Sequence, residues 1–234
     1  MSTLTRITVL HRDEHWLVLD KPPGMATTAP APEGLGVLVD AARRICPKAR
    51  HHHPLSRLDV EVSGAVAFAL TDVALARAEQ GRSLGRYARH YQGLAGGTLA
   101  QDQGVWTLPI GVDPRNPRRR TTGPRARDPK DAETRFEVLR WAPGALWLDL
   151  RPRTGRTHQL RVHAAAAGVP LLGDGAYGGA RMWVGADGAV TEVPRVMLHL
   201  AWVALDDSFD RVESPLPEDF RALWRACGGH EESR

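Results

Sequence analysis

Cysteine is scarce in this chain: Cys46 and Cys227 are the only two among 234 residues. They lie far apart, and neither has a neighbour at metal-ligand or redox-pair spacing. That usage points to a reduced, cytoplasmic protein. No apolar run approaches the roughly 20 residues that a membrane span needs, so no membrane partner is expected. The opening stretch MSTLTRITVLHRDEHW lacks a long apolar segment and a small-residue cleavage site, so no signal peptide is expected. The glycine-rich stretches GLAGG and GARMWVGADG are not followed by the lysine and hydroxyl of a phosphate loop. The G-x-S-x-G elbow of a serine hydrolase does not occur.

Metal-ligand spacing is missing as well. The triple His51-His52-His53 cannot easily converge on one ion, because adjacent side chains alternate in a strand and diverge in a helix. It reads as an RNA or solvent contact. His158 and His163 are five apart rather than four, and no glutamate follows His158, so the helical zinc pattern is absent. No metal site is expected.

What is present is an ordinary core and a surplus of arginine. Hydrophobic residues make up 42% of the chain and charged residues 25%, with a net charge of +4 and a pI near 9.5. The length allows one large domain or two small ones, and the basic balance favours anionic partners. No internal repeat and no composition break marks a boundary. The expectation is a single catalytic domain over 13–226, preceded by a short segment (1–12) and followed by a tail (227–234).

Strands are predicted at 15–19 (HWLVL), 65–70 (AVAFAL), 86–97 (RYARHYQGLAGG), 134–141 (TRFEVLRW), 145–152 (ALWLDLRP) and 196–205 (VMLHLAWVAL). DKPPG ends the first in a turn, and 26–36 is a loop by composition. Helices are predicted over 37–46, ended by Pro47, and over 73–84 with Thr71-Asp72 as cap, although Gly81 and Gly85 weaken its far end. Another runs over 157–167, capped by Thr157 and ended by Gly168 and Pro170, and a C-terminal helix spans 216–228. Residues 113–130, DPRNPRRRTTGPRARDPK, hold seven basic residues and four prolines and are expected to form a loop or mobile arm.

Two clusters stand out. In HPLSRLDVEVSGAVAFALT (53–71), Asp59 sits at the edge of a buried strand, two residues from Arg57. A buried carboxylate without a cation is costly, so Arg57 or Arg161 is the expected partner; from this segment alone a structural ion pair is the favoured reading. In RPRTGRTHQLRVH (151–163), four arginines and two histidines meet a helix start, which suits phosphate; a solvated arginine face fits the same pattern. Tyr91 alone implies no chemistry, since a strand tyrosine is usually core.

Read together and in order, these stretches resemble the RluA-type family of pseudouridine synthases. LVLDKPPGM is similar to that family's opening segment, SRLDVEVSGAVAFALT to its HRLDxxTSG signature, RHYQGLAGG to its KxYxAlvxG strand, and KDAETRFEVL to its KxAxTxFxvl strand. PRTGRTHQLRVHAAAAGVPLLGDGAYGG matches most closely, and VMLHLAWVAL and SPLPEDF resemble the closing strand and tail. The resemblance spans roughly 13–224. It implies an α+β pseudouridine synthase fold: a mixed, largely antiparallel sheet flanked by helices, with the active site in a central cleft. It also implies a compact member without the small RNA-binding domain that many members carry ahead of this core.

By that resemblance the chain is an isomerase that turns uridine in ribosomal or transfer RNA into pseudouridine. The base is flipped out, detached, turned over and rejoined through carbon 5. No redox change occurs, so no cofactor is expected; a monomer is expected. Asp59 falls on the catalytic aspartate, acting as nucleophile on the sugar or as base at the ribose 2′ position. Arg161 would lie against it and Tyr91 would stack on the uracil. Arg57 would enter the space the flipped nucleotide leaves. Arg156, His158 and the arginines of 115–127, with Arg118, Arg119 and Arg120 foremost, would bind RNA. Ser56, Val62, Arg89 and Gly93 depart from the family's usual residues. The competing readings are a non-catalytic RNA-binding protein on the same scaffold and a basic protein whose arginines are structural.

Overall fold

The computed structural model describes residues 7–205 and 211–230. Residues 1–6 of the short N-terminal segment and 231–234 of the tail therefore lie outside the described residues. In chain order the elements are β1 (Thr8–Arg12), β2 (Trp16–Lys21), α1 (Leu38–Ile45), β3 (His53–Pro54), β4 (Ser63–Ala69), α2 (Asp72–Ser83), β5 (Ala88–Gly96), β6 (Gln103–Trp106), β7 (Ile110–Asp113) and β8 (Asn116–Thr122). They continue as β9 (Arg127–Lys130), β10 (Thr134–Ala142), β11 (Ala145–Pro152), α3 (Gln159–Ala166), β12 (Met182–Val184), β13 (Val190–Glu192), β14 (Leu198–Ala204), β15 (Val212–Glu213) and α4 (Glu218–Ala226). Among the described residues they fall into two compact units, residues 7–89 with 199–205 and 211–215, and residues 90–198 with 216–230.

In the first unit β4 is central. Every residue from Ser63 to Ala69 is buried, as expected for a strand covered on both faces. It pairs antiparallel with β2, from Trp16↔Ala69 to Lys21↔Gly64, and parallel with β14, His199↔Ser63 and Leu200↔Gly64. β1 extends the β2 edge, β3 adds to β4, and β15 adds to β14. Gly64 is required at the parallel contact: its φ is +123°, and a Cβ would come within 2.3 Å of the Leu200 carbonyl oxygen. α2 starts as predicted, with the Thr71 hydroxyl accepting from the Ala74 N–H, and it continues through Gly81 to Ser83.

The second unit carries an antiparallel sheet in the order β5-β11-β10-β6. α4 packs on it through Phe220 and Trp224, which meet Trp147 edge-on at 5.3 and 5.4 Å. Leu94, Leu172, Met197 and Leu223 complete that core. With a parallel pair, β4–β14, in a largely antiparallel sheet and four helices among the described residues, the architecture is the expected α+β type.

Residues 113–130 are not a loose arm. β7, β8 and β9 form a three-stranded antiparallel sheet in the order β8-β7-β9. The composition misleads because its prolines occupy permitted places. Pro114 lies in the β7–β8 turn, where the Asp113 carboxylate accepts from the Arg115 N–H at 2.9 Å. Pro117 and Pro129 lie on the two outer strands, which have a side free of ladder bonds. Arginine side chains on such a sheet project into solvent while the backbone pairs.

Candidate functional site

Asp59 lies in the first unit, on an irregular segment between β3 and β4, and is half-buried. The segment is held on both sides of the carboxylate. Ahead of it, Thr27 makes a reciprocal pair with Leu58: the hydroxyl donates to the Leu58 carbonyl and accepts from the Leu58 N–H, both at 3.0 Å. Behind it, the wholly buried Lys21 donates its ammonium to the carbonyls of Val60 (3.2 Å), Met25 (2.8 Å) and Pro22 (3.0 Å). The Gly24 N–H also donates to Val60, at 2.8 Å, and the Val62 N–H closes the turn onto the Asp59 carbonyl at 3.1 Å. Carbonyl dipoles take the place of water around a buried ammonium, which would otherwise be costly. The DKPPG turn is thus the anchor of the Asp59 segment, a role not readable from its turn composition.

Arg57 is exposed. Ser56 is buried, and its hydroxyl has no hydrogen-bond partner among the described residues. Val62 is buried apolar core. Gly93 on β5 lets Leu171 close in, since a Cβ there would sit 3.0 Å from the Leu171 Cδ2. The histidine triple has separate protein partners: His51 meets the Asp72 carboxylate at 2.7 Å and His52 the Cys46 carbonyl at 2.9 Å, while His53, in β3, pairs with Ala69 of β4.

The remaining predicted residues belong to the second unit. Tyr91 is buried on β5, opposite Leu150 of β11. Arg161 is buried on the first turn of α3, and its Nε and Nη2 donate to the two carboxylate oxygens of Asp174 at 2.7 and 2.8 Å. Asp174 is only 1% exposed, so this is a fully desolvated bidentate pair. Gly173 places it: with φ at +81°, a Cβ would strike the Arg195 carbonyl oxygen at 1.8 Å. The ring of Tyr177 lies 5.1 Å from the Arg161 guanidinium carbon, in cation–π range. Neither Asp174 nor Tyr177 was singled out by sequence; the only signal was their place in the GDGAYGG match.

The start of α3 differs from its predicted form. His158 takes the N-cap place in a left-handed conformation, φ 57°, and its side chain makes no cap hydrogen bond. Gln159, not Thr157, ties the entry down. Its Oε1 accepts from the Thr154 hydroxyl at 2.7 Å and the Arg156 N–H at 3.0 Å. Its Nε2 donates to the Glu133 carbonyl at 2.9 Å and the Thr134 hydroxyl at 3.0 Å. Thr134 in turn faces His163 Nδ1 at 2.9 Å, and His163 Nε2 lies 2.9 Å from the Leu108 carbonyl. A carbonyl can only accept, so Nε2 carries the proton and Nδ1 accepts from Thr134. Burial holds the His163 pKa below the ordinary histidine value, against the opposing bond to Leu108.

His158 Nδ1 lies 2.7 Å from the Tyr177 hydroxyl. The same hydroxyl accepts from the Arg120 backbone N–H at 3.0 Å. Arg118 and Arg119 are exposed on β8, and the Arg120 guanidinium folds back onto the carbonyls of Pro117 and Arg119. Arg156 is exposed, with its Nε donating to the Asp131 carbonyl at 2.9 Å. The structure thus joins Arg161, His158 and the β8 arginines through Tyr177, while Arg156 is tethered separately. Asp59 and Arg57 belong to the first unit and Tyr91 and Arg161 to the second.

A family model described as RNA pseudouridylate synthase matches residues 15–166. The chain is 34% identical over 228 residues to the ribosomal large subunit pseudouridine synthase D of Nitrosomonas europaea, covering 93% of this chain and 64% of that protein's length. It is 37% identical over 172 residues to the dual-specificity RNA pseudouridine synthase RluA of Pasteurella multocida, covering 72% of this chain and 76% of that protein. Among solved structures, human RNA pseudouridylate synthase domain containing 1 superimposes with a TM-score of 0.74 at 25% identity, covering 97% of this chain and 89% of that chain. The match covers more than half of the chain and includes Asp59, Tyr91 and Arg161: the protein belongs to the RNA pseudouridylate synthase family.

Proposed function

We propose that this chain isomerises uridine to pseudouridine within RNA, with Asp59 as the catalytic carboxylate and Tyr91 and Arg161 as further catalytic residues. The bond between uracil N1 and ribose C1′ breaks, the base turns, and a bond from C5 to C1′ forms. The proton on C5 leaves and N1 gains one, so the reaction balances without an added reactant. An ionised Asp59 serves either as nucleophile at C1′ or as base at the 2′ carbon. Tyr91 offers a ring to stack on uracil and a phenol for the late proton transfer. Arg57, exposed beside Asp59, would fill the vacated stack, because flipping costs a few kcal/mol that a replacement side chain offsets.

The observation that carries this reading is the anchoring of the Asp59 segment by Thr27 on one side and buried Lys21 on the other. A reacting carboxylate must be held within about 0.5 Å of its productive geometry, and a structural ion pair needs no such grip. The exposed arginines of β8 and Arg156 supply a phosphate-binding surface, which positions RNA without reading its sequence. Relatives named for the ribosomal large subunit and for dual specificity make ribosomal and transfer RNA the substrates to test first.

RNA tritiated at uracil C5 should release tritium to water with the wild-type protein. Asp59→Asn should stop the release while RNA binding persists. Binding without release by the wild type, across ribosomal and transfer RNA, would reduce the chain to a binding module.

A further inference from the structure

The turn from Asp174 to Tyr177 holds Arg161 on two sides. Its first residue grips the guanidinium edge through the carboxylate, and its last lays an aromatic ring against the guanidinium at 5.1 Å. The turn is closed by the Tyr177 N–H, which donates to the Asp174 carbonyl at 3.0 Å. The Tyr177 phenol then reaches past Arg161 to two further elements. It accepts the N–H of Arg120 at 3.0 Å and lies 2.7 Å from His158 Nδ1. Among the described residues β8 is an outer strand of its sheet, paired with β7 alone. An N–H of such a strand that points away from its partner normally meets water. Here a side chain 57 positions away takes it.

We propose that Tyr177 is a positioning residue for RNA: its phenol locks the arginine-rich β7–β9 sheet to the turn that holds Arg161. A strand gripped through its phosphates by Arg118 and Arg119 is thereby set at a fixed distance from Arg161. The inference rests on the reading that the β8 arginines meet RNA, and it adds a register between that grip and Arg161. The proton arrangement suits a rigid link. The phenol oxygen accepts from the Arg120 N–H and shares a second hydrogen bond with His158 Nδ1. The left-handed backbone at His158, φ 57°, is uncommon for a residue with a side chain, and the bond to Tyr177 holds the imidazole there.

The test is Tyr177→Phe in the full chain, which keeps the ring against Arg161 and removes only the hydroxyl. Amide exchange at Arg120 should accelerate at least several-fold. KM for RNA in the tritium-release assay should rise about two- to tenfold, the range for one or two lost hydrogen bonds, while kcat stays within about twofold. Tyr177→Ala, which also removes the ring, should lower kcat in addition. A Tyr177→Phe protein with faster Arg120 exchange but wild-type KM would overturn the proposal, as would unchanged exchange. A lowered melting temperature with no split between KM and kcat would make the tyrosine merely structural and equally overturn it. Failure of the underlying reading shows elsewhere: if Arg118→Ala/Arg119→Ala leaves the salt dependence of RNA binding unchanged, the β8 surface does not meet phosphate and the register falls with it.

Discussion

Replacing Arg161 by alanine should unfold the second unit at a much lower temperature, and for a reason separate from catalysis. The guanidinium is the bidentate partner of Asp174, whose side chain is 1% exposed. Removing the cation leaves that carboxylate desolvated and uncompensated. Breaking a buried pair from one side typically costs about 3–5 kcal/mol, against a total stability of ~5–15 kcal/mol. For a protein of this size each kcal/mol moves the melting temperature by about 2–4 °C, so a fall of roughly 6–20 °C is expected by calorimetry. Activity should vanish in the same variant. The two effects separate in the double replacement Arg161→Met/Asp174→Leu. Both charges are then gone and apolar groups of similar volume remain, an exchange that is often neutral or stabilising. The double variant should recover most of the lost melting temperature and none of the activity. An Arg161→Ala protein that melts with the wild type would refute the reasoning, because Asp174 would then have to be solvated in the folded state.

Acid should destabilise the fold through His163. Its folded pKa is lowered by burial, so between that value and the unfolded value of about 6.5 the unfolded chain binds the extra proton and stability falls as pH falls. The contribution is complete above the unfolded pKa, and urea titrations at pH 7 and pH 5 should show His163→Gln flattening that slope. Alanine at Arg118 and Arg119 should reduce the slope of log Kobs against log salt by about 0.7 per lost phosphate contact on single-stranded RNA; an unchanged slope would clear this surface of any phosphate contact. Gly173→Ala should lower stability and activity together, because φ is +81° and the new methyl would lie 1.8 Å from the Arg195 carbonyl oxygen; wild-type melting would show that this turn can relax.

Much of the architecture follows from local pattern. The apolar runs of β4 and β11, the alternation of β10, the Thr71 cap of α2 and the Gly168-Pro170 stop of α3 are nearest-neighbour features, and each element forms where its own residues direct it. The family motifs are also local strings, so Asp59, Tyr91 and Arg161 could be named from the chain alone. The basic sheet β7–β9 could not, because its stability comes from backbone pairing that arginine and proline composition conceals. The partner of Arg161 was equally hidden: among several nearby carboxylates, only the fold brings Asp174 onto the guanidinium edge. Lys21 read as part of a turn, and its role emerges only when Val60, 39 positions on, returns to its ammonium. Tyr177 and Arg120 are 57 positions apart, and nothing in either segment announces the other. Sequence alone determined which residues are proposed to carry chemistry, since side-chain type and short-range periodicity are properties of contiguous stretches. Tertiary structure alone decided what holds them, since the desolvation that makes a buried charge demand a partner exists only after distant segments have packed.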